Sequence, residues 1–441
     1  MDKVANNEKI SEAVKLINNR SYKEALECLK DILNENKNDP KIFNLYGIVQ
    51  LQLNKMDEAI ISFENSIQLD DKFIQGYNNL GNVYVKSGKF KKAIEMYNKV
   101  LSIKPDYSAG YNNLASAQND LGEFADSIKN YENALKHDPN FKAAKNNIIQ
   151  VLTFYSPKNT SENVFTKSNS ELQQIEIPYK KNHEISDNDV IFFYKKCKEI
   201  LDRNLKDFDF HLSQIWRSNT INLGCNRHFE IFDKFKVIPE YCFGCFKVQI
   251  ELKSIIDLIK LYFVFDKLNL SKNNSRKCMI ELRENATGTY KGLIYCSGID
   301  EANLIYEQLS RILDEKIKRE IKVGVKRGCT EYGIEYPEYK IIDKDSKDFM
   351  IYNNDWKEKE DIIDSNTIKY ARERSINRKP TISGVTLNDI LIMKNWIYYA
   401  KKIGDEDYKQ LDENIFASSH IENQTSKKLK YVKKGISYNL S

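Results

Sequence analysis

Four residues of the types that bind soft metals lie close together in GCNRHFEIFDKFKVIPEYCFGCFK, residues 224–247. Two residues separate Cys225 from His228, two separate Cys242 from Cys245, and thirteen lie between the pairs. Such pairs can close a tetrahedron around Zn2+, because each supplies two ligands from one tight turn, and Gly244 permits the second turn. Four ligands leave no open position, so a zinc here would be structural and not catalytic. The intervening FEIFDKFKVIPEY is rich in large apolar residues. That filling favours plain core thiols, with one structural Zn2+ as the competing reading and a redox CxxC third. No other cofactor is expected.

Further catalytic chemistry finds little support. The chain has no Gly-x-Ser-x-Gly elbow, no HExxH and no P-loop. Arg283, Glu284, Arg327, Glu331 and Tyr332 fall near expected strand ends, where a pocket could form. Charged residues at such places more often face solvent.

The elements that must position these residues follow from the rest of the chain. Its 441 residues suffice for two or three domains, and 41% hydrophobic with 30% charged residues describes an ordinary folded protein. A net charge of +5 with both signs interspersed carries no nucleic-acid signal. The first residues, MDKVANNEKISEAVKL, carry early acids and no apolar run, so neither a secretory signal nor a membrane span is expected. A cytoplasmic setting follows, with the eight cysteines reduced.

The first 155 residues repeat. YNNLGNVYVKSGKFKKAIEMYNKVLSIKPD and YNNLASAQNDLGEFADSIKNYENALKHDPN align at an offset of 34 residues. Ala25, Ala59, Ala93 and Ser127 share one position, and Ala13, Gly47, Gly81 and Ala115 another. Small side chains at both places let two antiparallel helices approach closely. Phe43, Tyr77 and Tyr111 supply an aromatic to each first helix, and Phe63, Tyr97 and Tyr131 to each second. Gly88 and Gly122 stand between the helices, and Pro105 and Pro139 end their repeats.

These residues resemble the tetratricopeptide repeat family, with four repeats from about residue 6 to 140 and a capping helix in FKAAKNNIIQVLTF. The resemblance implies a right-handed all-α solenoid whose first helices line a groove for a protein or an extended peptide. Asn44, Asn78, Asn82, Asn112 and Asn119 would project into that groove, with Lys41, Gln75 and Lys86 nearby. Asn79, Asn113 and Asn147 recur one position along and look like the asparagine ladder in repeats of protein O-glycosyltransferases. There such side chains can bond a peptide backbone without reading its sequence. That these asparagines are solvated, or make contacts between repeats, is the equal alternative. No glycosyltransferase half follows.

Residues 156–189 turn polar and read as a linker. Over 190–425 the segments CFKVQIEL, KSIIDLIKLYFVFDKL, RKCMIELR, TYKGLIYCS, IDEANLIYEQLSRILDEKI and REIKVGVKRG spell β-α-β-β-α-β. That order predicts an α+β domain of ferredoxin-like type with extra helices. A hairpin centred near Thr287 would set Cys278 opposite Cys296. GCTEYGIEYPEYK reads as a packed loop, Thr386 and Asp389 as a capping box, and the basic 426–441 as a solvated tail. YKGLIYCSGIDEA faintly resembles the third-strand motif of RNA-recognition modules. Lys291, Gly292 and Tyr295 fit it, but Leu293 and Lys247 replace stacking aromatics, so nucleic acid is not the expected partner. The leading reading is a protein-interaction adaptor. The alternatives are an enzyme acting on a recruited protein, and an RNA-binding second domain.

Overall fold

The computed structural model describes residues 3–35, 38–158, 163–218, 225–284, 286–365, 380–416 and 418–433. The chain divides into two compact units, Met1–Val151 and Leu152–Ser441.

The first unit is a row of helical hairpins: α1 (Lys3–Asn18) with α2 (Tyr22–Glu35), α3 (Pro40–Gln52) with α4 (Met56–Leu69), α5 (Ile74–Lys86) with α6 (Phe90–Ile103), and α7 (Ser108–Leu121) with α8 (Phe124–His137), followed by α9 (Lys142–Val151). The turn inside each hairpin has a left-handed residue at the same repeat position: Arg20, Asn54, Gly88 and Gly122. The next residue's N–H reaches back to the helix end, Lys55 N to Gln50 O at 2.9 Å and Lys89 N to Tyr84 O at 2.8 Å. This geometry satisfies carbonyls that the helix end leaves open. The small residues do the work their period predicts: Ala13, Ala25, Ala59, Ala93 and Ala115 are wholly buried. A methyl group on Gly47 would lie 2.7 Å from the Phe63 ring, and one on Gly81 2.6 Å from the Tyr97 ring. First helices also touch the first helix of the next repeat, α3 with α5, α5 with α7 and α7 with α9, so they form one face of the row.

The second unit is built on an antiparallel sheet. Its strands are β1 (Gln214–Arg217), β2 (Phe246–Leu252), β3 (Arg276–Ile280), β4 (Tyr290–Cys296) and β5 (Lys322–Arg327), in the order β1-β3-β4-β2-β5. Helix α14 (Ile255–Lys267) joins β2 to β3, and α15 (Ile299–Lys316) joins β4 to β5. Registers Val248↔Ile294, Ile250↔Gly292 and Cys278↔Gly292 put the apolar residues on one face. There α14 and α15 pack, and Leu261 of α14 fills the place a side chain on Gly292 would take. Helix α14 is buried around its whole circumference, which is why its sequence is apolar beyond a single stripe.

Helices α10 (Val164–Gln173) and α11 (Asp187–Asn204) precede β1; α12 (Cys225–Phe235) and α13 (Glu240–Gly244) precede β2. After β5 come 3-10 turns at Thr330–Ile334 and Pro337–Lys340, then α16 (Lys357–Ser365), α17 (Leu387–Ile403), α18 (Tyr408–Asp412) and α19 (Ser419–Lys433). Thr386 and Asp389 cap α17 as a box, and Ser186 and Asp189 do the same for α11. Behind β1, Arg217 is buried between two carboxylates, Asp266 at 2.8 Å and Asp389 at 2.8 Å, tying β1 to α14 and α17.

Three expectations need correction. The polar stretch 156–189 is not a plain linker: Asn163 caps α10, whose Phe165, Asn169 and Leu172 are buried, and Asn169 accepts from Leu387 N at 2.8 Å. Its polar residues Thr166, Ser168 and Asn169 are buried, so composition alone misread it. The basic segment from 426 is helical to Lys433, with Lys428 bonded to the carbonyls of Ala286 and Gly288; 434–441 lie outside the described residues. The hairpin pairs Ile280 with Tyr290, so Cys278 stands opposite Gly292 and Cys296 opposite Phe246.

Candidate functional site

The asparagines of the first unit meet across repeats. Asn79 Nδ2 donates to Asn44 Oδ1 at 2.8 Å, Asn113 to Asn78 at 2.8 Å, and Asn147 to Asn112 at 3.0 Å. Each donor follows its acceptor by 35 residues, one repeat plus one position, so the same bond recurs at three interfaces. An amide carries two donors and an acceptor with two lone pairs, so one bond leaves capacity on both partners. Asn44 and Asn112 are buried, while Asn78, Asn82 and Asn119 are part-buried and Lys41, Gln75 and Lys86 exposed. Asn82 Oδ1 accepts from the Tyr97 hydroxyl at 2.7 Å, and the buried Asn119 Oδ1 has no hydrogen-bond partner. The ladder is therefore an inter-repeat clip between successive first helices.

In the second unit, Cys225 and His228 sit one turn apart at the start of α12, and Cys242 lies in the middle of the short α13, three residues before Cys245. The structure adds a residue that spacing could not reveal. Cys329, after β5, shares a buried cluster with Cys242, Tyr332 and Tyr339. Cys242 Sγ lies 3.7 Å from the Tyr332 hydroxyl, and Tyr339 donates to the Cys242 carbonyl at 2.8 Å. Cys245 Sγ instead packs against the α-carbon of Gly328, whose N–H donates to Cys245 O at 2.8 Å. His228 is buried, its ring stacked on Tyr241 at 5.3 Å. The contact with Cys329 holds the Cys225 thiol well above its ordinary range. Contact with Cys225 pulls Cys329 down, but contact with Cys242 and burial push it up overall. Burial lifts Cys245 to about 11. Among the described residues, no three His, Cys, Asp or Glu side chains are already laid out around a metal position. The signal for Cys329 was its place in GCTEYGIEYPEYK, a stretch flagged only by composition.

The sheet face away from α14 and α15 begins beside these cysteines. Lys247 is buried, and its Nζ donates to Gly328 O at 2.9 Å. Trp216 and Tyr295 stack at 5.9 Å, with Lys277 Nζ 4.7 Å from the Trp216 ring. Burial, with Lys247 and Arg283 nearby, lowers Lys277 to about 8. The residues that fitted an RNA motif are otherwise engaged: Tyr295 on Trp216, Lys291 with Glu281 at 2.9 Å, and Gly292 under Leu261.

The charged residues expected near strand ends part company. Arg283 pairs with Glu281 at 2.8 Å and Glu331 at 2.6 Å, and Glu284 is exposed. Tyr332 is buried against Phe232, and Arg327 is buried among the rings of Phe246, Phe349 and Tyr339. Burial raises the carboxyl of Glu281, but Arg283 and Lys291 outweigh it and hold it down at about 2. No described helix is long and apolar enough to cross a membrane.

Family models for the tetratricopeptide repeat match residues 40–73, 74–107 and 108–141. Similar solved structures include "MamA 41-end from Desulfovibrio magneticus RS-1", 20% identical, covering 33% of this chain and 82% of that one at a TM-score of 0.31. Another is "YrrB: a TPR protein with an unusual peptide-binding site", 15% identical, covering 33% and 75% at a TM-score of 0.30. A third is "First TPR of Spaghetti (RPAP3) bound to HSP90 peptide SRMEEVD", 22% identical, covering 26% and 92% at 0.25. No curated protein matches the chain. The helical hairpins of residues 40–141 are tetratricopeptide repeats.

Proposed function

We propose that the chain is a protein-interaction adaptor whose repeats hold an extended peptide by its backbone. The observation that carries this reading is the asparagine ladder. Three identical amide bonds at one-repeat spacing present unspent donors and acceptors along the row of first helices. A peptide backbone offers the complementary groups at regular intervals, so such a row suits it better than it suits any one side chain. Lys41, Gln75 and Lys86, exposed on the same helices, would add contacts at the edge. The second unit we read as a ferredoxin-like β-α-β-β-α-β sandwich with an added edge strand, the part of the adaptor that acts on or senses something else. The strand order and the two crossover helices support that reading.

Selection of peptides from a displayed random library on the full-length protein tests the proposal. Selected peptides should bind the Asn78→Ala/Asn112→Ala variant about tenfold more weakly or worse, since each lost hydrogen bond is worth roughly 1 kcal/mol. Circular dichroism should show the variant folded. Equal binding by the variant, or no peptide selected above background, would remove the proposal.

A further inference from the structure

We propose that the sheet face opposite α14 and α15 binds a small, ring-bearing phosphate monoester, its phosphate held by Lys247 and Lys277 beside the rings of Trp216 and Tyr295. The strand registers bring these four residues to one face, because residues directly opposite in an antiparallel pair share a side of the sheet. Lys247 faces Tyr295 across β2 and β4, and Trp216 faces Lys277 across β1 and β3. Lys277 also faces Leu293, which stands two residues from Tyr295 and so on the same side of β4. Lys277 Nζ accordingly lies 4.7 Å from the Trp216 ring and 5.9 Å from the Tyr295 ring. The two rings stack at 5.9 Å with their planes 13° apart, so they form one apolar wall.

What this face lacks is negative charge for its two lysines. Lys247 is 8% exposed, and its described hydrogen bond goes to the Gly328 carbonyl at 2.9 Å. That of Lys277 goes to the side-chain oxygen of Gln214 at 3.0 Å. An ammonium has three donors, so each lysine has two beyond its described bond. Nearby carboxylates are engaged elsewhere: Glu281 with Arg283 and Lys291, Glu331 with Arg283, and Glu251 with Gln249. Ammonium groups drawn out of water without a counter-ion are costly. Burial, with Lys247 nearby, accordingly pulls Lys277 down to about 8.

The dianion of a phosphate monoester matches two ammonium charges and accepts strong charge-assisted hydrogen bonds from both. A carboxylate would leave one charge unmatched. Trp216, Lys277 and Tyr295 are half-buried, so the wall can be approached from solvent. Gly324 stands opposite Gln249 on the same face, and a methyl group there would meet nothing within 4 Å, which leaves room above the sheet. The inference rests on the second unit alone, and peptide binding by the repeats stands or falls separately.

Isothermal titration of the full-length protein with phenyl phosphate tests it. One phenyl phosphate should bind per chain, and inorganic phosphate, which lacks the ring, should bind more weakly. Lys277→Met and Lys247→Met should each weaken phenyl phosphate about tenfold or more, the loss of one charge-assisted hydrogen bond. Lys253→Met, at an exposed lysine paired with Glu320, should leave it unchanged. Should a variant fail to fold, acetylation of the unsubstituted protein decides: phenyl phosphate should slow the reaction at Lys277 and not at Lys253. Equal slowing at both lysines, no saturable binding, or binding that both methionine variants retain overturns the proposal. Inorganic phosphate binding as tightly as phenyl phosphate also overturns it, as does a single-stranded oligonucleotide that binds more tightly and is lost with the same variants.

Discussion

At Gly81 an added methyl group would sit 2.6 Å from the Tyr97 ring, although the backbone there is ordinary helix. At Gly122 the same methyl would meet nothing within 4 Å, but φ is +91°. Two glycines of one repeat family thus resist replacement for unrelated reasons, steric in one and conformational in the other. Gly81→Ala should cost about 1–3 kcal/mol through overpacking, and Gly122→Ala about 1–2 kcal/mol through the left-handed backbone. Urea unfolding measures both. A second-site Tyr97→Phe, which leaves the ring in place, should rescue neither, whereas Tyr97→Leu should recover part of the Gly81→Ala loss only. At Glu281 the folded carboxyl is held at about 2, below the ordinary carboxylate range near 4.3. The unfolded chain therefore takes up this proton first, so the stabilisation is complete above about pH 5 and fades as pH falls toward 2. Glu281→Gln should destabilise the second unit by about 3 kcal/mol at neutral pH, by leaving Lys291 without its partner. That deficit should shrink steadily below pH 4; a deficit independent of pH would contradict the assignment.

The elements differ in how plainly the sequence announces them. A 34-residue period fixes helix, turn and small-residue positions together, so the first unit could be read almost residue by residue. The β-α-β-β-α-β order was also readable, because alternating and helical apolar patterns follow one another cleanly from Phe246 to Arg327. Helix α10 was hidden because its buried face includes Thr166, Ser168 and Asn169, polar residues whose burial only tertiary contacts can justify. Strand β1 was hidden because Arg217, its last residue, looks like a surface charge until Asp266 and Asp389 arrive from distant parts of the chain. Breaking that cluster from one side strands a buried charge. Asp266→Ala should therefore cost about 3–5 kcal/mol and release β1 from the sheet edge, seen as faster amide exchange at Ile215 and Trp216 than in the rest of the sheet. Cys329 escaped for a related reason: Cys242 is brought to it by the pairing of β2 with β5, Phe246 opposite Arg327, and not by local spacing.

For the whole molecule, the two units are built differently, a row of helical hairpins and an antiparallel sheet with helices. The repeats carry a periodic row of amides, and the second unit places Lys247 and Lys277 on the sheet face opposite α14 and α15. The central claim is that the repeats read a peptide's backbone. It can be tested most directly on the peptide, which leaves the protein intact. Isothermal titration of the full-length protein with a selected peptide should show that N-methylation of a single backbone amide facing the ladder weakens binding about five- to tenfold. Replacing individual side chains by alanine should change it far less. A peptide whose affinity survives N-methylation at every position, but collapses on loss of one side chain, would contradict the account.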